Sequence, residues 1–256
     1  MLSMATVGII LFPGTNCERE THAALTFAGL STRWLPAWSC DLADFNACDA
    51  YVIPGGFSYQ DRVRAGAIAA TSRIVDWLRA ANDHQKPILG ICNGCQILAQ
   101  SGIIPNTMLA ANQTGTQTTG FICEWVYVSV SSNTVFTQGI ETVLPIPINH
   151  GEGRFLFKTP ADAIPVMQYC EPDGTQTDAS NPNGSTQNIA AVTNAAGNVL
   201  AMMPHPERGY LTRQLPHHIA PNQGTILKQN PQAPGPWHVL FHNLATQLTH
   251  SSVTHA

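Results

Sequence analysis

Pro87-Ile88-Leu89-Gly90-Ile91-Cys92-Asn93-Gly94-Cys95-Gln96-Ile97-Leu98 sets one cysteine between two glycines, where an apolar run gives way to a helical pattern. A strand that turns this sharply into a helix holds the residue at the turn in a strained backbone conformation. Glycines two before and two after remove the side chains that would collide there. The sulfur of Cys92 is then presented at the carboxyl end of a sheet and at a helix N-terminus. Free N–H groups and the positive end of the helix dipole favour negative charge at such a place, whether a thiolate or the oxyanion formed by attack on a carbonyl. Gly-x-Cys-x-Gly therefore reads as acyl-transfer chemistry. Two other readings fit the same residues: a buried structural cysteine ahead of an amphipathic helix, and a redox dithiol, because Cys92 and Cys95 form C-x-x-C at a helix start.

Working outward, Thr6 to Phe12 is a continuous apolar, β-branched run stopped by Pro13-Gly14, as expected of a strand buried on both faces. Asn16 is placed to cap a helix through about Ala28, with Glu18 and Glu20 in its first turn. Ala50 to Ile53 is a second buried strand, ended by Pro54-Gly55-Gly56. A helical stretch runs from about Val63 to Ala81, Pro87 to Gly90 delivers Cys92, and a helix follows from about Asn93 to Gln100. This alternation predicts a mostly parallel sheet covered on both faces, with any site at the carboxyl ends of the strands. The second half is richer in strands: Phe121 to Val130, Val166 to Cys170, Ile189 to Thr193 and Val199 to Met203. The rough alternation of Phe121 to Val130 predicts a half-exposed antiparallel addition. Residues 173–188 read as a mobile or partner-facing polar loop, and Trp237 to Leu248 as a closing helix. No repeat or internal boundary divides the chain, which reads as one domain over 1–256, with a core at about 5–210 and an extension at about 211–256.

Composition narrows the function. A formal net charge of −4 argues against nucleic acid as a partner, and 11% charged residues, against a usual quarter or so, leaves a surface of amides and hydroxyls. No apolar run reaches the roughly 20 residues of a membrane span, and Met1-Leu2-Ser3-Met4 has no basic region ahead of an apolar one, so a cytoplasmic protein is expected. Seven cysteines in a chain of this length read as reduced thiols rather than a disulfide framework.

A cysteine nucleophile needs a base, and the base usually needs a carboxylate to orient it. Two of the ten histidines are followed two residues on by glutamate: His150-Gly151-Glu152 and His205-Pro206-Glu207. The second follows a strand and lies between Pro204 and Pro206, which fix the backbone. It is the preferred pair, His205 as base and Glu207 as its orienter, while the glycines around His150 read as a flexible loop. The oxyanion needs two N–H donors: Asn93, at the start of the helix, and Gly56, in the neighbouring Pro-Gly-Gly loop. Cys17 also stands near a helix start but lacks flanking glycines, and reads as structural. His238 and His242 lie a turn apart without the glutamate of a metalloprotease motif, and no metal is expected.

With these residues placed, the chain resembles the triad-type (class I) glutamine amidotransferases and, among them, the glutaminase components of formylglycinamidine ribonucleotide synthases. The segments carrying the resemblance are Phe12 to Glu18, Pro54 to Tyr59, Arg64 to Ala69, Gly90 to Leu98, His150 to Phe155 and Met202 to Arg208, in the family's order. It implies a flavodoxin-like three-layer α/β sandwich. It also implies that Cys92 attacks the carboxamide of L-glutamine, that His205 and Glu207 complete the triad, and that Gly55, Gly56, Asn93 and Gln96 hold the substrate and the oxyanion. Ammonia would pass to a large ATP-dependent synthase subunit, with a small bridging subunit. ATP and magnesium would belong to that synthase, and this chain would hold no cofactor. His150, Glu152, Arg154 and Asp61 are candidates for the partner interface. Two departures stand out: Gln60-Asp61 where the family usually has Gly-Asp, and Gly120-Phe121 where it tends to have Arg-Phe. The alternatives are a catalytically silent docking subunit of the same synthase and a stand-alone cysteine hydrolase of similar fold.

Overall fold

The computed structural model describes residues 4–131, 133–159 and 163–253. Residues 1–3, read above for a targeting segment, and the last three residues of the expected extension lie outside these. The first half is built of β1 (Thr6–Leu11), α1 (Glu18–Phe27), β2 (Ser31–Pro36), α2 (Leu42–Asn46), β3 (Ala50–Ile53), α3 (Arg73–Asp83), β4 (Ile88–Ile91) and α4 (Asn93–Gln100). There follow β5 (Thr107–Ala110), the two-residue strands β6 (Gln113–Thr114) and β7 (Gln117–Thr118), β8 (Ile122–Val130), β9 (Val143–His150), β10 (Arg154–Phe157) and β11 (Pro165–Cys170). The chain closes through β12 (Ile189–Thr193), β13 (Val199–Met202), α5 (Gln223–Gln229) and α6 (His238–Val253).

Nine strands form one sheet in the order β2-β1-β3-β4-β13-β12-β11-β8-β9. The pairs from β2 to β13 are parallel and those from β13 to β9 antiparallel. With β13 in fifth place, the parallel part has the flavodoxin-like order 2-1-3-4-5, and the antiparallel addition continues it on one side. Every residue of β3, β4 and β13 is buried, as strands covered on both faces must be. α4 packs on β3, β4 and β13, and α1 on β1, β2 and α6. The segment expected as an extension supplies part of the core, since Trp237, Leu240, Phe241 and Leu244 are fully buried.

The structure departs from the sequence reading in several places. Cys17, not Asn16, occupies the cap position of α1. The helical stretch expected from Val63 condenses to α3, with a 3-10 turn over Ala69–Thr71 before it. β9 was hidden by Pro145 and Pro147, which argue against a strand. It lies at the sheet edge, where a missing N–H costs no ladder bond. Its outward carbonyls are used instead: Pro145 O accepts from Trp237 Nε1 at 2.7 Å and Pro147 O from the His205 N–H at 2.9 Å. Finally, residues 173–188 form a hydrogen-bonded scaffold rather than a loose loop. Asn183 is buried and donates to Gly153 O, and Ser185 Oγ accepts from the Phe155 N–H.

Candidate active site

The carboxyl ends of β1, β3, β4 and β13 converge on a pocket of about 130 Å³ lined by Cys92, His205, His150, Gln96, Asp61 and Glu152, among others. β4 ends in the expected elbow. Cys92 has φ 50° and ψ −103°, a conformation that side chains avoid. Both glycines are needed on contact grounds, because a Cβ on Gly90 would lie 2.7 Å from Gly94 O and one on Gly94 2.0 Å from Ile53 O. The Cys92 N–H is tied to Met202 O at 2.8 Å, which locks the elbow to β13, and its Sγ lies 3.6 Å from Asn149 O.

β13 delivers His205 beside it. The 3-10 turn Pro206–Arg208 follows immediately and brings Glu207 back under the imidazole, with His205 Nδ1 and Glu207 Oε1 2.5 Å apart. Both side chains are buried. Burial opposes protonation of His205, but the Glu207 carboxylate and Cys92 outweigh it and hold the imidazole well above its ordinary value. Nδ1 is therefore committed to Glu207, while Nε2 has no hydrogen-bond partner among the described residues and is left for a reactant.

Gly55 makes this approach possible. A Cβ there would sit 2.8 Å from His205 Cε1 and 3.1 Å from Cys17 Sγ. The Gly55 carbonyl also accepts from the N–H groups of Asn16 and Cys17, so the β1 and β3 loops are stitched together beneath the imidazole. Gly56 lines the pocket, and a Cβ on it would lie 2.7 Å from Gly14 O. The Asn93 N–H belongs to the first turn of α4, whose donors have no acceptor within the helix. Its side chain ties α4 to the turn at Ser58–Asp61: Oδ1 accepts from the Ser58 N–H at 3.2 Å, and Nδ2 donates to Gln96 Oε1 at 2.9 Å and faces Asp61 Oδ1 at 3.5 Å. Gln96 Nε2 in turn donates to Glu152 O at 2.8 Å.

The second His-x-Glu segment is neither loose nor on an outer face. His150 is buried, and its Nδ1 lies 3.2 Å from Asn112 Oδ1. Burial and the neighbouring His205 push it down to about 3. Asp61, His150 and Glu152, candidates for the partner interface, line the pocket with Cys92, and Arg154 bonds Gln113. The structure also makes pairings that sequence reasoning did not place. Cys17 Sγ accepts from Arg208 Nη2 at 3.2 Å, and the guanidinium lies 3.9 Å from both Glu207 and Glu20. Asn112 fixes His150. Neither carries a local signal, since each meets its partner across the fold. Cys17, His205 and Glu207 bring ligand atoms within 4.8 Å of one another, the one such metal-competent group among the described residues, but the Arg208 guanidinium on Cys17 puts a positive charge against a cation there. Gln60 and its neighbours Tyr59 and Asp61 have positive φ, at 62°, 53° and 52°. The family's glycine would be unstrained at position 60.

A buried cysteine at a strained strand-to-helix turn, facing an imidazole held by a carboxylate, defines a triad-type cysteine amidotransferase or hydrolase. The profile of the CobB/CobQ-like glutamine amidotransferase domain matches residues 4–246, and the chain belongs to that family. It is 43% identical over 210 residues to phosphoribosylformylglycinamidine synthase subunit PurQ of Methanopyrus kandleri, covering 80% of this chain and 89% of the relative. It is 42% identical over 217 residues to the protein of the same name from Synechocystis sp., covering 80% and 92%. Among solved structures it superposes on a chain of PurLQS from Thermotoga maritima with a TM-score of 0.75 and 30% identity, over 96% of this chain and all of that one. Among the described residues no helix is long and apolar enough to cross a membrane.

Proposed function

We propose that this chain is the glutaminase component of a phosphoribosylformylglycinamidine synthase. The observation carrying the reading is the Cys92 elbow set against a His205 whose Nδ1 is engaged by Glu207 and whose Nε2 is open. The Cys92 thiol passes its proton to His205 Nε2, and Sγ attacks the side-chain carboxamide carbon of L-glutamine. The N–H groups of Gly56 and Asn93 take the oxyanion, and stabilisation of this kind is worth about 3–4 kcal/mol per donor. His205 Nε2 gives its proton to the departing nitrogen, ammonia leaves, and a glutamyl thioester remains on Cys92. His205 then takes a proton from water, hydroxide attacks the thioester, and glutamate departs with the thiol restored. Glu207 keeps the imidazole in the tautomer that both steps require. Gly55 leaves room for the imidazole, and Gln96 lines the substrate pocket.

Ammonia then enters a large ATP-dependent synthase, which converts formylglycinamide ribonucleotide to the amidine, with a small third subunit in the assembly. The subunit name of the relatives and the PurLQS assembly of the similar structure support this. ATP and magnesium serve that synthase, and this chain needs neither. The protein works in the cytoplasm, as one domain. Glutamine labelled with ¹⁵N at the amide, supplied with the synthase, formylglycinamide ribonucleotide, ATP and magnesium, should put the label into the amidine. Cys92→Ala should abolish transfer from glutamine while free ammonium still supports the reaction. Absence of glutamine hydrolysis with or without the synthase would overturn the reading.

A further inference from the structure

Part of the pocket lining, Asn149, His150, Gly151, Glu152 and Phe121, comes from β9 and the loops beside β8 and β9, on the antiparallel side of the sheet, and not from the strands that carry the triad. One side chain ties this wall together. Asn112, between β5 and β6, is fully buried. It uses the whole capacity of its amide, two donors and two lone pairs. Nδ2 donates to His150 O at 2.8 Å and to Gly120 O, beside Phe121, at 3.0 Å. Oδ1 accepts from the Gly153 N–H at 3.0 Å and from His150 Nδ1 at 3.2 Å. The Asn112 N–H itself donates to Gly151 O at 2.9 Å. Gly151 and Gly153 have no side chains to anchor them, so backbone hydrogen bonds must fix their positions, and Asn112 reaches both.

The wall meets the elbow and its helix in two places. Asn149 O lies 3.6 Å from Cys92 Sγ, and Glu152 O accepts from Gln96 Nε2 at 2.8 Å, while Gln96 Oε1 accepts from Asn93 Nδ2 at 2.9 Å. We propose that Asn112, which does not itself line the pocket, is a positioning residue for glutamine hydrolysis. By holding residues 149–153 it sets the two carbonyls that meet Cys92 and Gln96, and so the aim of the nucleophile and of the side chain beside the substrate. The inference rests on the glutaminase reading and adds to it a residue that acts on the reaction only through others.

Asn112→Ala removes every side-chain bond to the wall, and Asn112→Asp keeps the shape but sets an oxygen against the carbonyls of His150 and Gly120. Each should lower kcat/KM for glutamine by about 10- to 100-fold at temperatures well below its unfolding transition. Amide hydrogen exchange should quicken in the peptides covering 149–155 and the first turn of α4. Asn112→Asp carries a further signature, because protonation of the buried carboxyl returns one donor. Its activity relative to wild type should rise as the pH is lowered from about 8 to about 6. Asn198 is another buried amide, bonded to Lys86 O and Asn82 at the amino end of β13, away from the site. Asn198→Ala shows what a structural loss alone does, and should lower stability with kcat and KM unchanged. Wild-type kcat/KM in a folded Asn112→Ala would overturn the proposal, as would lost activity without faster exchange in those peptides. Where Asn112→Ala does not fold, Asn112→Asp decides, and an activity ratio that stays flat across pH would overturn it equally. Faster exchange in both peptides of a chain that hydrolyses no glutamine would count against the function and not against the coupling of Asn112 to Cys92 and Gln96.

Discussion

His150-Gly151-Glu152 and His205-Pro206-Glu207 share a spacing and a pocket, yet only in the second does the glutamate meet its histidine. The difference lies in the residue between them. Pro206 starts a 3-10 turn that folds Glu207 back onto His205 Nδ1. After His150 the chain continues through Gly151 without that turn, and Nδ1 is taken up by Asn112. Burial weighs against charge on both imidazoles. A carboxylate reverses the balance at His205, whereas nothing does at His150, which is held down to about 3. A sequence motif thus becomes a proton-transfer device only when the backbone between its members closes it.

The largest effect is expected of Glu207→Gln, which keeps the shape and removes the charge. It should lower kcat by about 10³-fold, whereas Glu152→Gln, at a glutamate that does not meet its histidine, should cost far less. Steady-state hydrolysis of both variants compares the two glutamates directly. Next in size is Gly55→Ala, whose methyl would press on His205 Cε1 and Cys17 Sγ. A displaced imidazole should lower kcat by about 10- to 100-fold, while thermal unfolding shows a loss of about 1–3 kcal/mol.

The contrast in protonation can be read in stability. His150 has a folded value below its unfolded one of about 6.5, so its contribution is complete above that pH and is lost as pH falls toward about 3. The most this can amount to is about 5 kcal/mol. His150→Gln should flatten the acid side of the stability curve in urea unfolding between pH 6.5 and 4, whatever it costs at neutral pH. An unchanged slope would mean that His150 is not a buried neutral imidazole. The smallest effect is expected at Gln60→Gly, which relieves a left-handed side chain. Strain relief of about 1–2 kcal/mol, less the added freedom of the unfolded chain, leaves a gain of no more than about 1 kcal/mol by chemical denaturation.

Much of this site was legible because its signals are local. Gly90, Cys92 and Gly94 announce the elbow within five residues, and the prolines flanking His205 announce a fixed imidazole. What stayed hidden was encoded across the fold. Asn112 decides the state of His150 from 38 residues away, and Arg208 reaches Cys17 across 191. β9 was disguised by prolines that only an edge position tolerates, and β2 by a polar sequence with two exposed positions. Asn183 and Ser185, buried within 173–188, read as part of a mobile or partner-facing polar loop because Asn and Ser look polar until their partners are known.

On the proposed mechanism Cys92, and neither Cys17 nor Cys95, carries the acyl group from glutamine. Acid quenching during turnover followed by peptide mass spectrometry should find a glutamyl adduct on the peptide containing Cys92, accumulating in His205→Asn and absent from Cys92→Ser. An adduct on Cys17, or turnover that survives Cys92→Ser, would contradict it.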